Sequence, residues 1–237
     1  MKNVASFSQS YKYNYDSALI VIVDLNLKGK LVIIVGAGNE GLKKINSLLT
    51  QDCKILVISD SENDQIINFV ADSKIEFIKE KIENADFIKN YEPILVIAST
   101  NNKELNRKIV VEAKKKRCYA YASDDPEFSD FSHPSVINIQ DSIQVAISTG
   151  GSSPVMARKI KEDVEKIIVD SIDKVDIYHI KLQKIIRDAA KSKISTLEDR
   201  KKYLYTVLND KYIKQLLKDD NFSTAQDEAM RILKDWK

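Results

Sequence analysis

Glycine and proline are scarce: the 237-residue chain has six of the first and four of the second. That excludes collagen-like and Pro/Gly-rich linker architectures, and it means that any clustering of glycine needs a backbone reason. Cysteine is as sparse. Cys53 and Cys118 alone cannot make a disulfide framework or a cysteine-rich zinc site, so both are expected as reduced, structural thiols. Two histidines are present, His133 and His179, and no spacing of His, Cys and carboxylates suggests a built-in metal site. Each histidine reads as structural first, with a proton-carrying or ligating role at His133 as the sharper alternative. No apolar run approaches the roughly 18–20 residues of a membrane span, residues 18–23 being far too few. The polar, tyrosine-rich stretch before them does not look like a signal peptide. The expectation is a cytoplasmic protein with no membrane partner. An excess of one charge is also missing: 37 basic residues against 35 acidic ones leave a net charge of +2, which gives no global attraction to nucleic acid.

What is present is core material and a change of pattern. Hydrophobic residues are 43% of the chain and charged ones 30%, enough for one large core or two smaller ones. After a polar lead-in to about residue 17, residues 18–25 are expected as a short strand and Leu31–Val35 as a buried parallel strand. Further strands are expected at 55–58, 75–78, 94–98 and 118–122, with helical spacing between them and helical or irregular structure at 82–90. Alternation of that kind implies a parallel sheet covered on both faces. Residues 134–139 and 143–148 then read as a hairpin. From Pro154 onward there is no glycine and no further proline. One long helix or two abutting ones are expected from there, followed by helices over 180–190, 197–218 and 223–236. The fold class is therefore α/β, a Rossmann-like parallel sheet followed by a small β-strand region and an all-helical C-terminal region. The expected divisions are 1–122, 123–160 and 161–237.

Half of the glycines fall in one hexapeptide. Gly36-Ala37-Gly38-Asn39-Glu40-Gly41 is a complete G-x-G-x-x-G between an expected strand and an expected helix, the context in which such a turn cradles a pyrophosphate. Gly36 permits the tight turn, Gly38 lets the backbone approach phosphate, and Gly41 lets helix and strand pack. Asn39 and Glu40 complete the candidate cradle. Asp60, at the end of the second strand of that unit, can accept hydrogen bonds from ribose hydroxyls and would repel a 2′-phosphate, which favours NAD over NADP; it is also an ordinary turn residue. Ser99, Thr100, Asn101 and Asn102 follow the fourth strand and can line the same cleft.

A second cluster begins after the fifth strand, at Ser123-Asp124-Asp125-Pro126-Glu127-Phe128. It is followed by Ala146-Ile147-Ser148-Thr149-Gly150-Gly151-Ser152-Ser153-Pro154-Val155-Met156-Ala157-Arg158. The latter reads as strand, hydroxyl-rich turn and helix start, a second place for anions. Arg158 can serve such an anion or pair with Glu162 on its own helix.

The segments LKGKLVIIVGAGNEGLKK, SDDPEFSDFSHPSVI and VAISTGGSSPVMARKIKEDVE, in that order and spacing, resemble the family of precorrin-2 dehydrogenases and siroheme synthase N-terminal modules. The resemblance covers residues 20–170. It implies NAD-dependent oxidation of precorrin-2, a tetrapyrrole, to sirohydrochlorin. It implies Asp124 as the catalytic carboxylate. It also implies a homodimer with the post-Rossmann strands and helix exchanged between subunits. Thr149, Gly150, Gly151, Ser152, Ser153 and Arg158 then become candidates for binding the substrate's carboxylates. Two other readings remain open: a dehydrogenase that also inserts iron into sirohydrochlorin, and a non-catalytic protein that binds another tetrapyrrole-pathway enzyme.

Overall fold

The computed structural model describes residues 21–236. They fall into two compact units, the first ending at His133 and the second starting at Pro134.

In the first unit, five strands alternate with helices. They are β1 (Leu31–Val35), α1 (Asn39–Leu48), β2 (Lys54–Ser59), α2 (Asp64–Ala71), β3 (Glu76–Lys79), β4 (Leu95–Ala98), α3 (Lys103–Lys115) and β5 (Tyr119–Ala122). Short 3-10 turns lie at Asp86–Asn90 and Pro126–Phe128. The sheet is wholly parallel in the order β3-β2-β1-β4-β5. The chain therefore reverses direction across the sheet between β1 and β4, which opens a crevice at their carboxyl ends. The run of β-branched residues in β1 exists because both sheet faces are covered. Ile33 and Val35 join the core under α3, while Val32 and Ile34 join the one under α1. Burying each such side chain contributes roughly 1.5–3 kcal/mol.

The strand expected at 18–25 is corrected. Residues 18–20 lie outside the described residues, and residues 21–25 pair with nothing among those described. Val21 and Val23 are 76% and 72% exposed, and Leu27 is the first side chain to enter the core. Both sides of β1 are taken by β2 and β4, and residues 21–25 pair with neither of the sheet's edge strands, β3 and β5. β-branched composition favours a strand only where a partner strand receives it.

The second unit starts with an antiparallel hairpin, β6 (Ser135–Ile139) and β7 (Ile143–Ile147). Gln140 and Asp141 turn it with φ of 48° and 51°, a left-handed pair that matches the twist of hairpin strands. The helix α4 (Pro154–Ser171) packs against both strands. Then come α5 (Lys174–Lys193), α6 (Leu197–Asn209), α7 (Lys211–Lys218) and α8 (Phe222–Lys234). The expected helix 197–218 is two helices, because the Asp210 carboxylate accepts hydrogen bonds from the backbone N–H groups of Tyr212 and Ile213. Asp173 likewise ends α4 and starts α5 through a reciprocal cap with Asp176. An aspartate that can cap a new helix competes with continuation of the old one. Leu182, Ile186, Tyr203, Val207, Ile213 and Leu217 form the core of α5–α8, and the Tyr203 hydroxyl donates to the carbonyl of Ala229 at 2.9 Å. No helix among the described residues is long and apolar enough to cross a membrane.

His179 on α5 is buried, and neither ring nitrogen has a hydrogen-bond partner among the described residues. Burial first, and Lys214 second, lower its pKa. The unfolded chain therefore takes up a proton here more readily than the folded one. The stability linked to this group is present above the unfolded value of about 6.5 and is lost as pH falls below it. We expect His179→Leu to stabilise this unit by about 1 kcal/mol and to flatten its loss of stability between about pH 7 and pH 5. Trp236, the one tryptophan, lies edge-on to Tyr203 at 5.4 Å, so its fluorescence during urea unfolding of the full chain is the readout. A destabilised variant would contradict the expectation.

Candidate active site

The turn between β1 and α1 is fixed by close backbone approaches. Gly36 has φ +101°, and a Cβ there would stand 2.5 Å from the carbonyl oxygen of Ser99. A Cβ on Gly41 would stand 2.0 Å from the carbonyl oxygen of Gly36. Both positions exclude any side chain. Gly38 differs: it has φ −70°, and a Cβ would meet nothing within 4 Å. It caps α1 without a side-chain hydrogen bond, so the first N–H groups of that helix are offered to whatever fills the open space.

Two side chains absent from the sequence expectations clamp the same turn. The Ala37 N–H donates to Ser59 Oγ at 3.3 Å, and Asn63 Nδ2 donates to the Ala37 carbonyl at 3.2 Å. Ser59 is buried at the end of β2, and Asn63 also caps α2.

The ends of β1, β2 and β4 enclose a cleft of about 270 Å³. Gly36, Gly38, Asp60, Ser99, Thr100 and Asn101 line it, together with Lys81 from the segment after β3. Gly41 packs beneath the turn. Asn39 and Glu40 turn outward, and Glu40 pairs with Lys43 at 2.6 Å, a contact that lowers the Glu40 pKa.

Asp124 follows β5. It does not line the cleft, but a chain of hydrogen bonds ties it there. Asn106 on α3 is only 1% exposed. Its Nδ2 donates to Asp124 Oδ1 at 2.7 Å and to the Thr100 carbonyl at 3.0 Å. Its Oδ1 accepts from the Thr100 N–H at 3.1 Å and from the Thr100 hydroxyl at 2.7 Å. The hydroxyls of Ser99 and Ser123 meet at 2.8 Å. Asp125 turns elsewhere: it pairs with Arg107 at 3.3 Å and accepts from the Phe128 N–H. The sequence signal for Asn106 was a polar residue inside the buried stripe Leu105, Ile109, Val110 and Ala113 of α3.

His133 packs edge-on to Tyr121 at 4.8 Å and to Phe131 at 5.3 Å. Partial desolvation of the ring by these aromatics first, and Lys44 second, lower its pKa, although the residue as a whole is exposed. Among the described residues, no group of three or more His, Cys, Asp or Glu side chains converges as a metal site.

In the second unit the β7–α4 junction is a closed turn. Thr149 Oγ1 accepts from the Ser153 N–H at 3.1 Å, and the Ser152 N–H donates to the Thr149 carbonyl at 3.1 Å. Gly150 and Gly151 take φ of 62° and 83°. The Ser153 hydroxyl caps α4 through the Met156 N–H at 3.2 Å. Arg158 is exposed and pairs with Glu162 at 3.3 Å.

Residues 23–135 match the family model described as "Putative NAD(P)-binding", and residues 140–167 match the one described as "Sirohaem biosynthesis protein central". Siroheme synthase of Neisseria meningitidis serogroup C (strain 053442) is 29% identical over 208 residues, 88% of this chain and 42% of its own. That of Buchnera aphidicola subsp. Acyrthosiphon pisum (strain APS) is 28% identical over 210 residues, 89% and 42%. The chain thus spans about two fifths of the length of the curated relatives it matches. A solved structure of SirC, precorrin-2 dehydrogenase, aligns with a TM-score of 0.64 at 19% identity, over 92% of this chain and 100% of that one. At that identity the likeness speaks for the fold.

Sheet order, glycine turn and cleft together define a Rossmann-type dinucleotide-binding protein. With a segment directly after it that matches the sirohaem-biosynthesis central model, the chain is similar in sequence to siroheme synthases over most of its own length, in line with the family that its motifs resemble.

The two kinds of glycine should separate in stability. Gly41→Ala is expected to destabilise the first unit by about 3 kcal/mol, and Gly38→Ala to stay within about 0.5 kcal/mol of the parent. Urea unfolding of the full chain followed by far-UV circular dichroism measures both; equal effects would refute the contrast.

Proposed function

We propose that the chain oxidises precorrin-2 to sirohydrochlorin with NAD+ as hydride acceptor. The reaction transfers one hydride to the nicotinamide and releases one proton, giving NADH. The reading is carried by one observation: Asn106 joins the Asp124 carboxylate to Thr100, which lines the dinucleotide cleft.

The residues fit the cofactor. Open space above Gly38, beside an uncapped helix start, is where a pyrophosphate meets N–H donors. The Asp60 carboxylate accepts from ribose hydroxyls and disfavours a 2′-phosphate, which selects NAD. Ser99, Thr100 and Asn101 form the wall opposite the glycine turn, and Asn39 and Glu40 complete the start of α1.

NAD+, when bound, supplies the electron sink. Asp124 takes the proton. Its Oδ1 is held by Asn106, and its Oδ2 has no partner among the described residues, so one oxygen fixes the group while the other is free to act as base. The substrate's carboxylates are matched by the hydroxyls of Ser152 and Ser153, the backbone of Gly151 and the guanidinium of Arg158, on a turn that Thr149 and Gly150 hold in shape through their own hydrogen bonds. Arg158 would leave Glu162 to do so, a small loss for an exposed pair. The wider reading keeps residues 1–122 as the NAD domain, 123–160 as the active-site and dimer region of a homodimer, and 161–237 as a helical domain. A cytoplasmic setting goes with the free thiols Cys53 and Cys118.

Anaerobic incubation with precorrin-2 and NAD+, following NADH absorbance, tests the activity. Asp124→Ala is expected to slow turnover by about 100-fold or more while leaving NAD+ affinity unchanged. Full turnover in that variant would remove Asp124 from the chemistry. Gly38→Asp is expected to fold and to lose NAD+ binding through a carboxylate placed among the phosphates; an unaltered dissociation constant would defeat the cradle assignment.

A further inference from the structure

We infer that Asn106 is the positioning residue of this site and that the two halves of its amide do separable work. The oxygen holds the cofactor loop alone, and the nitrogen ties that loop to the base. This inference rests on the dehydrogenase reading above.

An amide has two donor and two acceptor positions. Asn106 uses all four: Oδ1 accepts twice from Thr100, and Nδ2 donates once to Thr100 and once to Asp124. The orientation is determined by the partners. Flipping the amide would set its oxygen against the Asp124 carboxylate and the Thr100 carbonyl, and its NH2 against the Thr100 N–H. Three favourable contacts would become repulsive ones, in a place that water does not reach because Asn106 is 1% exposed.

The residue's address explains why it can couple the two groups. Asn106 lies in the first turn of α3, and its own N–H bonds to the Asn102 carbonyl. The helix is anchored on the sheet by Leu105, Ile109, Val110 and Ala113. A short, planar side chain on a rigid helix transmits position with little slack. Thr100 follows β4 and Asp124 follows β5, the neighbouring strand. Without Asn106, the ties among the described residues between these loops would be the Ser99–Ser123 hydroxyl contact, which is neutral and can rotate, and the Ser123 N–H bond to the Ala98 carbonyl at 2.9 Å, neither of which touches the carboxylate. Asn106 contributes a charge-assisted bond to the carboxylate itself, and such a bond fixes the plane of the carboxylate.

A plain core role would make every substitution act alike, through folding. The split role makes a different forecast for Asn106→Asp. That variant keeps an oxygen that can accept from the Thr100 N–H and hydroxyl, while its second oxygen loses the donor to Asp124 and to the Thr100 carbonyl and sets a carboxylate against both, so the base is left without its donor and beside a like charge. We expect NAD+ affinity within about 3-fold of the parent and a kcat at saturating NAD+ lower by about 30-fold or more. Asn106→Leu, which loses both halves, is expected to weaken NAD+ binding by about 10-fold or more as well. Circular dichroism of each variant confirms folding. Should Asn106→Asp not fold, Asn106→Ser is compared in the parent and in Asp124→Ala: its loss in kcat should vanish once Asp124 is gone, because the two act through one contact. Parent-like kcat in Asn106→Asp, or additive losses in the Ser and Ala pair, would overturn the inference. If the parent chain itself does not turn over precorrin-2, the dehydrogenase reading fails instead. The NAD+ affinities of Asn106→Asp and Asn106→Leu then still decide the cofactor half of the inference, and equal affinities would overturn it.

Discussion

The site depends on one close approach. The turn at Gly36 lies so near the Ser99 carbonyl that a single added carbon would overlap it, and the Gly41 position is closed by the Gly36 carbonyl in the same way. Those contacts bring the ends of β1 and β4 together at the point where the sheet changes direction. The crevice, the exposed start of α1 and the wall formed by Ser99 and Thr100 all follow from it. A larger residue at either glycine would push the turn away from β4, and the cleft would lose its depth before any catalytic group was touched.

From that point the structure builds outward by hydrogen bonds between loops. Ser59 and Asn63 hold the turn from the β2 side. Asn106 holds the β4 loop and reaches the loop after β5. Each of these is a short polar side chain at or near the end of a strand, placed by a hydrophobic element beneath it. Five strand ends become one working surface because buried strands fix their height and short amides and hydroxyls fix their loops. The second unit shows a related economy. Aspartates at 173 and 210 break what would be longer helices and start new ones, and the resulting helices pack around Tyr203.

The features legible in the sequence were those set by local patterning. The five strands, the glycine turn and the hairpin follow from β-branched runs, glycine placement and strand spacing, and each appears within a residue or two of its expected bounds. The strand expected at 18–25 shows the limit of that reasoning, since a strand needs a partner and pairing is a property of the whole sheet. The break at Asp210 shows another: period alone ran through it, and the capping side chain decided otherwise. Gly36, Asp60, Ser99 and Thr100 were legible because motif and strand order place them at one crevice. Asn106 was not, because its partners lie 6 and 18 residues away. A polar residue in an apolar stripe signals a buried partner without saying which one it is.

The central claim is geometric: a dinucleotide lies with its pyrophosphate at the start of α1 and its nicotinamide toward the Asp124 side of the cleft. A crystal structure of the chain with NAD+ tests it most directly. The account predicts phosphate oxygens within hydrogen-bonding distance of the backbone N–H groups near Gly38, with the nicotinamide ring beside Thr100. A dinucleotide bound elsewhere, or reversed so that the adenine occupies the Thr100 side, would contradict it.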